Sequence, residues 1–554
     1  MAPRPPEIEL PTNFEQPQAG ENQVYVANPK SNLVAVIDAR SLAIEIVEAG
    51  DKPRVVRTFG TGDQAIVLNV ASDDATVLRT EKGRTTTHTL PVVAGCNRIA
   101  VSPTGSHAVL YFDIHARRPG DPTGSFQDLT VATLAPGAEE AVNVTVGFRP
   151  LSVHFSDDGS TAFVVTEDGI SELPLGSLRQ ASIARLIPLG PDTGAFSKDV
   201  SITNDGRYAI ARREHDSTVR LVELSSGAVT SLELSEVAGA LGPAPSPPVA
   251  PDAGADAASD AHVDAVQALD AELDARSDAW QPLDAGLDAT DAPNSAQRRS
   301  RTPTARQPVA VTDLDLAPSG EFALAVLSDP QLLLRIPIPS GFSDPGLVRS
   351  IPLAGDIVGS VSITPDNHSA LVYTTAFAVE RIGLVELNPL ADTVRGVRLR
   401  KPIKGVAIAP DARTALIVHT RDPADPNEPG LTPDQVIDRS FAYSLLNIAS
   451  GFVKLQVTQA DVGPFAVMPA NSHLFVLIRN DLQHVREVQR IALESLQIST
   501  TRLGSPPLSV GAVPGTEHAF VGQEHPEGRV TFVHWNSGEA QTVTGFELNS
   551  RIRK

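Results

Sequence analysis

The sequence predicts an all-β chain, a β-propeller of four-stranded antiparallel blades, and three observations predict it. One strand–turn–strand signature recurs along the chain. Each clear copy is followed by two further strand-like runs. The composition, with 45 Pro and 40 Gly against only 5% aromatics, favours many short strands joined by tight turns. Hydrophobic residues make up 41% of the 554, enough for a packed core, yet no apolar run reaches the length of about 18 residues that spans a membrane.

The signature is an apolar strand, a Ser/Thr/Ala-led turn, and a second apolar strand. It starts at Ile99 (IAVSPTGSHAVL), Val153 (VHFSDDGSTAFV), Val200 (VSITNDGRYAIA), Leu314 (LDLAPSGEFALA), Val361 (VSITPDNHSALV) and Val406 (VAIAPDARTALI), with weaker copies at Phe465 and Ser509. The central residues suit a turn, because Pro presets φ near −65° and Gly or Asn tolerates positive φ. The third and fourth strands show in hairpins such as Thr218–Leu224 and Ala228–Leu234 around Ser225-Ser226-Gly227. Four strands per unit of this length make a propeller blade.

The first unit adds a resemblance. Val24-Tyr25-Val26-Ala27-Asn28 followed by Ser31-Asn32-Leu33-Val34-Ala35-Val36-Ile37-Asp38 resembles the YVTN family of β-propeller repeats. The Gly-x-x-Pro connections Gly50 to Pro53 and Gly147 to Pro150 do so as well. The resemblance covers most of residues 22–545 outside the segment 242–307. It implies a propeller, often of surface or envelope proteins, and no single activity.

Seven to ten blade-like units are expected, the fullest count placing five on each side of residue 242. A large single ring, two five-bladed rings, or a smaller ring with insertions all fit that count, and the single ring is favoured. The chain opens on what reads as the second strand of a blade, Val24 to Ala27. It ends on a spare strand-like piece, residues 545–552, which would close the circle and remove exposed edges. Residues 1–21 read as a disordered leader with no signal peptide visible, 22–241 as the first half of the blades, and 308–554 as the second half. Between them, residues 242–307 hold ten Asp-Ala dipeptides, 11 acids and 5 bases, and read as a disordered acidic insertion.

Charge narrows the partners. The net charge is −21, and about −15 remains after the insertion's −6 is removed. Nucleic acid is therefore not expected, because phosphate binding needs a basic footprint. Cys96 is the only cysteine, so neither an internal disulfide nor a Cys-based zinc site can form.

Alternating strand direction puts the loops joining second to third strands, and those joining blade to blade, on one face around the channel. Their polar residues are the candidate binding site: Asp113, His115, Arg149, Glu214, His215, His419, Asp422, Glu524 and His525. Asp422, Asp425 and Glu428 offer oxygen ligands for calcium, though without EF-hand spacing. No cofactor and no metal is otherwise expected. No HExxH, GxSxG, Walker or GxGxxG pattern follows the strands. His107, His368, His473 and His518 recur near the start of second strands, so they belong to the repeat, whereas His154 sits on an innermost strand. The expected function is a non-catalytic binding or scaffolding propeller of the bacterial envelope, extracytoplasmic and monomeric, binding a protein or small ligand. A lactonase-like propeller hydrolase is the alternative.

Overall fold

The computed structural model describes residues 18–190, 199–213, 216–241, 309–327, 331–353, 358–525 and 527–546. The expected leader up to residue 17 and the acidic insertion 242–307 lie outside them. Within the described residues the chain forms ten antiparallel blades: the first spans 23–48 and the last 507–544. Eight hold four strands each. The first shows three, and the third, 98–145, gains a fifth through Ser182–Ile183, which pairs parallel to Glu140–Thr145.

The recurring signature folds as its residues require. Gly105, Gly159, Gly206 and Gly320 take φ between +65° and +72° at the same place in their turns, where Asn367 takes +62°. Such left-handed positions cost Gly nothing and Asn little. The leading hydroxyl is anchored by the turn's aspartate: Ser156 Oγ donates to Asp158 at 2.6 Å, Thr203 to Asp205 at 2.7 Å and Thr364 to Asp366 at 2.6 Å.

Burial falls outward along each blade. All six residues of Phe322–Leu327, a second strand, are buried, whereas four of six in Thr393–Arg398, an outermost strand, are exposed. Second and third strands lie between two neighbouring sheets, so both of their faces are apolar. The cores therefore sit between blades. One joins Leu221 and Leu232 of the fifth blade to Ala323, Leu334 and Ile336 of the sixth. Another joins Phe520, Val530 and Phe532 of the tenth to Val24, Ala35 and Ile37 of the first. This pair of interfaces makes a single ring of ten, because two five-bladed rings would instead pack the fifth blade on the first.

A polar seam accompanies the last apolar one. Gly515 N–H donates to Glu21 O at 2.7 Å, and Arg40 donates to Gly515 O. The first blade's strands 23–28, 33–38 and 44–48 show the burial of second, third and fourth strands. On the inward edge of Gln23–Asn28, Ala19 forms an antiparallel bridge with Val24, and Tyr25 N–H donates to Gln18 O at 3.0 Å. Ala19 thus adds a single bridge on the edge where the other blades carry their innermost strand. The expected closing strand, 545–552, falls outside the described residues beyond Phe546. Gly545 and Phe546 are not in a strand, and Phe546 is buried in the seam.

Six junctions share a further device. A cation on the third or fourth strand of one blade donates to the outer hairpin of the next. Arg185 reaches Ser225 O at 2.8 Å, Arg395 reaches Ser450 O at 3.1 Å, Lys454 reaches Leu496 O at 2.6 Å and Arg490 reaches Asn536 O at 2.6 Å. Arg79 and Arg335 hold the hairpins of the third and seventh blades in the same way.

Candidate functional site

The two faces of the ring differ. One carries the first-to-second turns and the third-to-fourth hairpins, most of them short, with longer ones at 175–184 and at 338–348, which holds the helix Ser340–Ser343. The other carries the second-to-third and blade-to-blade connections, and the two longest fully described connections open there: 112–127, and 420–440 with the helix Pro433–Arg439. These two connections lie on the face where the alternation predicted the candidate site.

Around its channel mouth, six innermost strands share a register shift near their first residue, at Pro53, Pro150, Val311, Ile403, Val462 and Pro507. A β-bulge adds an unpaired residue and re-aims its side chain. The residues lying at the shifts include Arg54, Leu151, Thr312, Lys404 and Leu508, and Leu508 is 51% exposed on the channel wall. Sequence reading did not find this ring, since a bulge leaves the apolar pattern almost unchanged.

The charged residues of the mouth are largely paired with one another. Asp113 is buried, accepts from Arg98 Nε at 3.2 Å and from His115 N–H at 2.9 Å, and so fixes the short turn Ile114–Ala116. His115 itself is exposed. Arg149 pairs with Glu167 at 3.0 Å in the fourth blade, and Arg212 pairs with Asp199 within the fifth. Arg54 reaches across to Asp121, and Lys404 bonds Asp461 at 2.7 Å. Glu524 meets Arg479 at 2.7 Å, while His525 Nδ1 accepts from Glu527 N–H at 3.2 Å. Glu214 and His215 lie outside the described residues. These pairs tie strand ends together within a blade or to its neighbour and do not gather the candidates into one centre.

Two of the candidates have other roles. His419, expected in a loop, is the last residue of a second strand and is buried. Its Nδ1 lies 3.1 Å from Pro402 O, and a carbonyl only accepts, so Nδ1 carries the proton and Nε2 accepts from the Ser444 hydroxyl at 2.7 Å. Burial pushes its pKa down to about 4, aided by Lys401 and opposed by the Pro402 carbonyl. A Ser–His pair of this spacing is the geometry of an activated nucleophile, but Ser444 is fully buried and no substrate reaches it. Asp422 accepts from Ala424 N–H at 2.9 Å, and Arg439 stands beside it and bonds Glu428 at 2.5 Å. A guanidinium thus occupies the place expected for calcium, and among the described residues no three His, Cys, Asp or Glu side chains converge on a metal position. Lys401 is buried as well, its Nζ donating to Ile437 O at 2.6 Å and Asp438 O at 2.7 Å, where it caps the helix Pro433–Arg439.

His154 does lie on an innermost strand, bonded to Ser152 at 3.1 Å, and burial lowers its pKa. The Cys96 thiol is buried and pushed up to about 12, so it stays protonated and unreactive.

An aromatic shelf went unnoticed in the sequence. Phe126, from the long 112–127 connection, meets Phe112 edge-on at 5.5 Å and Phe148 at 5.8 Å, and the Arg149 guanidinium lies 5.0 Å from the Phe148 centroid. With Phe scarce, a phenylalanine inside the Pro/Gly-rich run 119–126 was the one available signal. Exposed ion pairs, a half-buried aromatic shelf and a ring of bulged residues make a surface suited to binding.

No helix of the described residues is long and apolar enough to cross a membrane. No protein-family model matches the chain, and no curated protein matches it. Solved structures similar to it include dihydro-heme d1 dehydrogenase NirN, at 13% identity and TM-score 0.39, covering 76% of this chain and 71% of that one. A eukaryotic initiation factor is similar at 10% identity and TM-score 0.48, covering 87% and 96%. Kuenenia stuttgartiensis hydrazine synthase is similar at 11% identity and TM-score 0.31, covering 71% and 95%.

Proposed function

We propose that this protein is a non-catalytic binding or scaffolding β-propeller of the bacterial envelope, working outside the cytoplasm and meeting a protein or small ligand on the face of its long connections. The observation that carries this reading is the asymmetry of the faces. A ring needs only short turns to close, so connections as long as 112–127 and 420–440, longer than any described on the other face, reflect a use for that side. The paired charges fit binding rather than turnover, because catalysis needs an activated group within reach of a substrate. The resemblance of the first unit to YVTN repeats supports the envelope location.

The test trims the surface on each side. In one variant residues 113–126 are replaced by a short Gly/Ser turn. In a second the outer hairpin 224–227 on the opposite face is altered. Partner capture from the envelope fraction of the source cells should survive the second change and fail in the first. Equal loss from both, or calcium-dependent lactonase or esterase turnover by the parent protein, would overturn the proposal.

A further inference from the structure

The outer rim of the seventh blade carries features that ring closure does not explain. Its outermost strand, Thr393–Arg398, pairs on one side with Arg381–Glu386 and ends the sheet on the other. On one face of this pair, Arg381 stands directly opposite Arg398, and Gly383 stands opposite Gly396. Like charges directly opposite destabilise a ladder, and glycine weakens a strand interior. Glycine inside a strand also marks a place where another group comes close. Here the Arg381 guanidinium lies across Gly396, where a Cβ would stand 2.0 Å from Nη2. The rim is cationic in a chain of net charge −21. Arg398 and Arg400 are exposed, with no ion-pair partner among the described residues.

The strand has a groove on each flank, and both grooves share Gly396 and Arg398. One, of about 470 Å³, is walled by Glu380 and Arg381. The other, of about 460 Å³, is walled by Arg395 and Arg400 with Phe452 and Leu455 of the eighth blade, and Phe452 is 59% exposed. An added strand lays alternate side chains to opposite sides, so grooves on both flanks of one edge fit that geometry. The ring already accepts such an addition at its third blade, where Ser182–Ile183 pairs in parallel with the outermost strand.

We infer that the edge Thr393–Arg398 docks an extended acidic segment of a partner protein as a fifth strand. Its backbone would pair with the open edge and its carboxylates would meet Arg398 and Arg400. Charge complementarity selects an acidic occupant, and Phe452 and Leu455 select apolar residues between the acids on one side. This site is independent of the long-connection face.

The test uses the full chain and a labelled peptide of about eight residues alternating glutamate and valine, long enough to cover a six-residue strand. Binding is expected, and Arg398→Glu should weaken it roughly tenfold by reversing a charge at the contact. Arg502→Glu, on the outermost strand of the ninth blade, should leave binding unchanged. A lysine–valine peptide should not bind. Neither should the glutamate–valine peptide N-methylated at every residue, which keeps the charge but cannot donate to the edge. Equal binding of the N-methylated peptide would reduce the site to charge attraction and overturn strand addition. Equal loss in Arg398→Glu and Arg502→Glu would overturn the location. A dimer that forms through this edge and dissociates in Arg398→Glu would make a second copy the occupant and overturn the acidic partner.

Discussion

His419 fills a slot that recurs from blade to blade. Asn69, Thr166 and Gln523 also end second strands opposite the first residue of an innermost strand. Asn69 and Gln523 donate to Thr76 at 2.9 Å and Thr531 at 2.6 Å on their third strands, as His419 accepts from Ser444. The residue type varies while the role, a polar pin between strands near the mouth, stays the same. A sequence shows a histidine beside Arg421 and Asp422 and cannot tell a pin from a ligand, because the strand's last residue is fixed only by its register. The pin has a pH consequence. Its folded pKa, about 4, lies below the ordinary 6.5, so the unfolded chain takes up a proton that the folded chain refuses. Stability from this group is complete above pH 6.5 and is lost as pH falls toward 4, at up to about 1.4 kcal/mol per pH unit. His419→Gln keeps a polar pin like that of Gln523 and removes the titration. Urea melts of the variant should fall less steeply than the parent's between pH 6.5 and 4, and identical slopes would show that His419 is not kept neutral. Some slope should remain, since burial also lowers His154.

At the scale of the element, the cationic links between blades show what holds neighbouring sheets in step. Arg490 donates from one Nη to Trp535 O at 2.9 Å and Asn536 O at 2.6 Å, across the junction from ninth to tenth blade. Removing it leaves two carbonyls with water or with nothing, a loss of about 1–2 kcal/mol for charge-assisted bonds that are partly exposed. Arg490→Ala should lower the melting temperature by a few degrees and speed amide exchange in the hairpin 534–540 before that in other hairpins. Uniform exchange across all ten blades would refute a local link. The strands themselves were legible, since their apolar runs and Gly- or Asn-bearing turns carry local chemistry. The links were not, because their partners lie 40 to 55 residues apart in sequence and one is a backbone carbonyl that any residue supplies.

At the scale of the whole molecule, closure decides stability. Phe546 is buried among Val24, Ile37, Phe520 and Phe532 where the last blade meets the first, and its ring crowds Gly528. Truncating a buried phenylalanine commonly costs about 3–5 kcal/mol. Phe546→Ala should therefore open this seam first, seen as early exchange and proteolysis of residues 23–48 and 507–544 while the sixth to eighth blades stay protected. Protection that falls equally everywhere would mean that the ring unfolds as one unit. The acidic segment should behave oppositely. Replacing residues 245–305 with a Gly/Ser linker keeps both complete blades that flank it, so thermal unfolding should stay as cooperative as the parent's. A lost transition would show that the segment belongs to the core.

By itself the sequence determined the blade. Alternating burial, a hydroxyl-led turn with one left-handed residue and a following hairpin are local requirements, and each leaves its mark within about a dozen residues. It also determined that the second-to-third and blade-to-blade connections share one face, since strand direction alternates whatever the packing. Only the tertiary structure decided that ten blades make one ring, because the choice between the fifth blade packing on the sixth or on the first is made by side chains nearly as apolar either way. Tertiary structure likewise decided which charges are spent on each other. Arg98 and Asp113, or Arg479 and Glu524, become partners only when strand ends or neighbouring blades are brought together, and a lysine such as Lys401 becomes buried only once a helix end folds over it.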